Sequence, residues 1–140
     1  MDITQLVADK LDSLYPSIPI YRENIDGGFS EPSFFIQRSK LTLEPRLFKY
    51  QKRTYRCNVV YFPHKDSPKE DCDKMAESLA WDFQQIDGIA SLFDRELEVL
   101  ESDPPNAELY FSFGIEIHVK PVEDDKFNQS LETNTGIKEN

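Results

Sequence analysis

Residues 107–120 read Ala-Glu-Leu-Tyr-Phe-Ser-Phe-Gly-Ile-Glu-Ile-His-Val-Lys, and their alternation decides the fold class. Leu109, Phe111, Phe113, Ile115, Ile117 and Val119 take every second position, with Tyr110, Ser112, Gly114, Glu116, His118 and Lys120 between them. A period of two sends the two sets to opposite faces of a strand. Six apolar residues in strict alternation make a long strand, and a face that apolar belongs at the centre of a sheet. Thr54–Phe62 repeats the pattern, with Tyr55, Cys57, Val59 and Tyr61 on one face and Arg56, Asn58, Val60 and Phe62 on the other. Ser33–Leu43 and Leu92–Leu100 supply two further strands.

Helices bracket these strands. Asp2 is placed to cap the first, with Gln5 reaching back, and Ile3, Leu6, Val7, Leu11 and Leu14 recur at helical spacing until Pro16 and Pro19. The second is signalled by Ser67 as N-cap, Pro68 at the first helical position and Glu70 completing a capping box. Cys72, Met75, Ala76, Leu79, Phe83 and Ile86 form its apolar stripe, with Trp81 off it, and Asp87-Gly88 is the stop signal. Asp26-Gly27-Gly28 reads as a turn. The expected fold class is α+β: an antiparallel sheet of about four strands with two helices packed on one face. Residues 1–122 form a single domain on this reading, and 123–140, polar and without apolar period, form a flexible acidic tail.

Charge is segregated sharply. Between residues 38 and 56 the bases Arg38, Lys40, Arg46, Lys49, Lys52, Arg53 and Arg56 face one acid, Glu44, a net of +6; the whole chain carries −10, so the other 121 residues carry −16. Residues 44–53 are expected to form a long charged hairpin connection, with most of the cluster on or beside its tip. Such a molecule is dipolar, and its basic patch suits either nucleic acid or the acidic flank of an identical copy. Tyr50 and Tyr55, interleaved with the bases, suit stacking on single strands, but nucleic-acid binders are basic overall and this chain is not.

Enzyme signatures are missing. The sequence holds no GxSxG elbow, glycine-rich phosphate loop or HExxH. Cys57, His64, Cys72 and His118 match no zinc spacing, so no metal, catalytic or cofactor site is expected. Glu96 and Glu98 share a strand face, the ordinary place for solvated charge. With no CxxC and no signal peptide, the two cysteines read as reduced, packed thiols in a protein intracellular at synthesis. No apolar run is long enough to span a membrane.

Three segments carry a family resemblance: Leu14-Tyr15-Pro16-Ser17-Ile18-Pro19-Ile20-Tyr21, Glu31-Pro32-Ser33-Phe34-Phe35-Ile36, and Arg53-Thr54-Tyr55-Arg56-Cys57-Asn58-Val59-Val60-Tyr61-Phe62-Pro63. In order and spacing, together with a helix ending near Trp81-Asp82 and the closing hairpin, they resemble the tail terminator family of tailed phages and defective prophages of Gram-positive bacteria. The resemblance implies a structural virion protein, not an enzyme. It implies a hexameric head-to-tail ring that ends tail tube polymerisation and joins the tail to the head-side connector. Its partners would be itself, the tail tube protein, a head-completion or connector protein, and DNA passing through the lumen. Its place would be the neck of the virion tail, reached from the host cytoplasm. The seven bases are then subunit or lumen contacts; the alternative is a small nucleic-acid-binding module using hairpin 38–56.

Overall fold

The computed structural model describes residues 2–23, 30–103 and 106–121. Helix α1 (Ile3–Leu14) leads through a two-residue strand β1 (Ile20–Tyr21) to β2 (Ser33–Pro45), and a short 3-10 turn (Leu47–Lys49) joins β2 to β3 (Gln51–Phe62). Helix α2 (Pro68–Asp82), a second two-residue strand β4 (Gln85–Ile86), β5 (Ala90–Glu101) and β6 (Ala107–Val119) complete the order.

The sheet corrects the expected fold class. It has six strands in the order β1-β2-β3-β6-β5-β4, and it is mixed, because β1 runs parallel to β2 while the other pairs are antiparallel. The chain is mostly β, a curled half-barrel with two helices rather than a four-stranded antiparallel layer. The four expected strands are its centre, β2-β3-β6-β5. Two-residue strands carry no period, so β1 and β4 leave no trace in the pattern; hydrogen bonds such as Phe34 N–H to Pro19 O (2.9 Å) and Leu92 N–H to Gln84 O (3.0 Å) define them instead.

The core lies between the helices and one face of the sheet. Leu109, Phe111, Phe113, Ile115 and Ile117 of β6 are buried with Tyr55, Cys57, Val59 and Tyr61 of β3, and Ile3, Val7 and Leu11 of α1 join them. Phe83 contacts Phe111 and Phe113 with ring centroids 5.7 Å away, an aromatic cluster at the middle of the core. Asp2 caps α1 by accepting the Gln5 N–H, but the Gln5 side chain turns forward to Asp9 rather than back to the cap. Helix α2 is shorter than its apolar stripe: Phe83 is already non-helical and Ile86 belongs to β4, although both are buried. Ser67 has φ 51° and makes no capping bond. The Asp71 carboxylate, in the first turn, accepts instead from the Tyr61 hydroxyl (2.8 Å) and the His64 N–H (3.0 Å). Burial, and then Asp71, push the Tyr61 phenol well above its ordinary range.

Cys57 and Cys72 are buried and unbridged, and loss of water around them raises both thiols to about 11. Gly114 faces away from the helices, and the Phe93 ring lies where its Cβ would be. The turn expected at Asp26–Gly28 and the tail expected over 123–140 fall outside the described residues.

Candidate functional site: the β2–β3 hairpin end

The hairpin connection expected over 44–53 contracts to Arg46–Tyr50, because the ladder runs without a break from Lys40↔Arg56 to Pro45↔Gln51. Residues directly opposite in an antiparallel pair share a face, so the register sorts the seven bases. Arg38 (opposite Cys57) and Arg53 (opposite Leu43) lie on the face that carries the core; Lys40, Lys52 and Arg56 lie on the other; Arg46 and Lys49 sit in the turn. The structure therefore brings the seven to one end of the sheet but divides them between two faces and a tip.

Several are engaged locally. Lys52 reaches Glu116 (3.3 Å) and Glu44 (3.7 Å), Arg46 reaches Glu44 (3.6 Å), and Arg56 reaches Asp94 (4.0 Å). Arg38 lies 5.9 Å from the centre of the Tyr55 ring, a cation–π contact, and Arg53 donates to Gln51. Among the described residues Lys40 and Lys49 make no ion pair.

The charge pattern concealed a second property of this end, which is apolar. Leu41 and Leu43 continue the core-side row of Phe34 and Ile36 beyond the reach of the helices and are exposed, as is Tyr50. At the tip Leu47 is 80% and Phe48 88% exposed. Phe48 and Lys49 hold left-handed backbone, φ 59° and 66°, where a side chain other than glycine or asparagine is disfavoured. The sequence signal lies in Leu47 and Phe48, which fall within the connection expected over 44–53 among its charges, and in Leu41 and Leu43, which end the strand expected over Ser33–Leu43.

The edge of β2 is also open. Beyond Phe35, the last residue paired with β1, no described strand covers it. A bulge at Ser39, between Arg38↔Cys57 and Lys40↔Arg56, shifts the phase of the strand. Before it, Phe34 directs its N–H outward to Pro19; after it, Arg46 directs its N–H inward to Tyr50. The odd residues Leu41 and Leu43 therefore turn their N–H and C=O groups outward from the sheet. Pro45, the next outward position, offers no N–H, a common guard on a strand edge.

Chemistry elsewhere is sparse. Among the described residues no three His, Cys, Asp or Glu side chains converge as a metal site. An open groove of about 920 Å³ lies where β1 ends against Ile36–Ser39, beside the open edge. Among the described residues no helix is long and apolar enough to cross a membrane. An exposed apolar tip with a basic margin beside an open strand edge has the composition of surfaces that meet other proteins.

The sequence model of a family described as phage tail terminator protein matches residues 2–126. The chain belongs to that family. No curated protein matches it. Membership makes it a structural protein of the phage tail, located in the virion tail and in contact with other tail or virion proteins. The match spans both helices, all six strands and the hairpin, so the exposed end is part of the tail terminator domain and not an appendage to it.

Proposed function

We propose that copies of this chain assemble head to tail into a ring, hexameric by its family resemblance, that caps the tail tube, stops its polymerisation and offers a surface to the head-side connector. One observation carries the reading: Leu47 and Phe48 are held in water at the tip, Phe48 on left-handed backbone that costs of order 1–2 kcal/mol and returns nothing within the subunit. A partner that covers this end withdraws both side chains from water, which offsets the backbone cost. Lys49 at the tip and Lys40 on the edge meet the acidic remainder of a neighbouring copy, while Arg46, Lys52 and Arg56, already paired with Glu44, Glu116 and Asp94, fix the arm to its own sheet. A head-to-tail contact of this kind joins two different patches and closes into a ring when the rotation allows.

The nucleic-acid module is disfavoured because the seven bases are divided between the two faces of the sheet and the turn. The lumen remains the place where DNA would meet whichever of them the ring leaves exposed. The test is tail length in particles assembled without this chain. Overlong tubes lacking heads are expected; tails of normal length, joined to heads, would overturn the reading.

A further inference from the structure

The sheet has a second open edge, and it complements the first. β4 pairs only with Ala90 and Ser91 of β5, and Leu92 makes the last backbone bond on that side, to Gln84. A bulge follows between Phe93 and Glu96, with Asp94 at φ 49°. From Glu96 to Glu101 β5 is paired with β6 alone among the described residues. Each edge thus ends in six residues beyond a bulge: Lys40–Pro45 on β2 and Glu96–Glu101 on β5.

We propose that β2 of one copy pairs antiparallel with β5 of the next along these two stretches, joining neighbouring sheets through their backbones. The inference rests on the ring reading above and specifies its contact. Three features of the strands match. First, hydrogen-bonding phase: on β2 the groups of Leu41 and Leu43 point outward. On β5 the alternation of the ladder makes Leu97, Val99 and Glu101 the outward residues, since β6 already uses its odd residues toward β3 and its even ones toward β5. Second, faces: Leu97 and Val99 sit on the core side opposite Phe111 and Leu109, the same side as Leu41 and Leu43, so apolar meets apolar. In the register that sets Leu41 against Val99 and Leu43 against Leu97, the other face sets Thr42 against Glu98 with Lys40 diagonal to it, and Glu44, held by Arg46 and Lys52, against Glu96. Third, direction: successive antiparallel pairs make β2 and β5 run oppositely, so a rotation about an axis along the strands sets β2 against the next β5 antiparallel.

The two stretches lie at different heights, since Gln37, Asn58, Ser112 and Glu96 form one row across the sheet. Pairing them shifts neighbours by about five residues along the strands, the stagger that tilted strands in a closed barrel require. The same shift carries Leu47 and Phe48 toward Ile89, itself exposed, in the β4–β5 turn of the next copy.

Disulfide trapping on tail tubes tests the pairing. Full-length chain carrying Thr42→Cys with Glu98→Cys, or Thr42→Cys with Glu96→Cys, is added to tubes of the tube protein and oxidised. The buried native thiols, raised to about 11, give little background. A ladder of covalent oligomers is expected from at least one double variant and from none of the single ones. Leu43→Pro removes an outward N–H without touching the β2–β3 ladder, so it should leave the melting temperature within a few degrees and abolish rings. If that variant fails to fold, the trapping decides alone. Wild-type rings on tube ends with no ladder from either double variant would overturn the edge pairing and leave the ring standing. Bare tube ends with the wild-type chain would overturn the ring and this contact together.

Discussion

The two ends of the β2–β3 ladder are built from the same strands and hold opposite environments. At one end Phe34, Ile36, Val59 and Tyr61 are at most 2% exposed, sealed by α1, with Tyr15 and Tyr61 rings within 5.6 Å of Phe34. At the other Leu41, Leu43, Leu47, Phe48 and Tyr50 are exposed, with no helix above them among the described residues. Apolar character is similar along the ladder; cover is not. Burial explains the first end, since each such side chain contributes about 1.5–3 kcal/mol when withdrawn from water. The second end gains nothing of the kind in the lone subunit, so its composition points to a surface that is covered only in an assembly.

Substitutions should separate the two ends. The largest effect belongs to the sealed end: Phe34→Ala leaves a cavity between Tyr15, Tyr61 and α1 and should cost about 3–5 kcal/mol by chemical denaturation. A loss under 1 kcal/mol would mean that this end is not held by packing. The middle of the ladder should respond less. Gly114→Ala, opposite Arg56 and beneath the Phe93 ring, should cost about 1–3 kcal/mol because the ring must move off the sheet. At the open end Phe48→Gly should leave stability within about 1 kcal/mol or raise it, since glycine accepts the positive φ and no packing is lost.

Much of this contrast was legible in the sequence, for reasons particular residues make plain. The alternations at 54–62 and 107–119 are long enough to declare strand, face and centrality, and both faces are as read. Helix α2 was placed by its Pro68 start and its stripe, yet its end was overrun because Phe83 and Ile86 stay in phase with the stripe while the backbone leaves the helix. The two short edge strands, and with them the mixed, curled character of the sheet, follow from tertiary hydrogen bonds that leave no period. Alternation along β3 separates Arg53 from Lys52 and Arg56, but the placement of Lys40 on the face opposite Arg38 depends on the Ser39 bulge, one extra residue that reverses the phase of β2. The apolar tip was visible and was outweighed by the charge around it.

Solution conditions give the smallest effects. Asp2, held by the Gln5 N–H and by Arg22, and Asp87, held by Lys10, both titrate below the ordinary carboxylate value of 3.8. A lowered folded-state value means that their stabilisation is present above 3.8 and lost as pH falls through the folded values. The melting temperature should therefore decline modestly on acidification in that range, with α1 loosening from β4; an unchanged profile would show that neither contact is made in solution. The open end should respond to salt instead. Screening shortens from about 10 Å at 0.1 M to about 3 Å at 1 M, so rings should weaken with salt while subunit stability holds.

The most direct measurement is the tail length of particles assembled with the Leu47→Ser, Phe48→Ser double variant, whose folding is checked beforehand by its melting temperature. A subunit as stable as the wild type, no ring on tube ends, and tubes that overrun their normal length are expected. A variant equally stable that forms rings and yields tails of normal length would contradict the claim that the exposed hairpin end is an assembly surface.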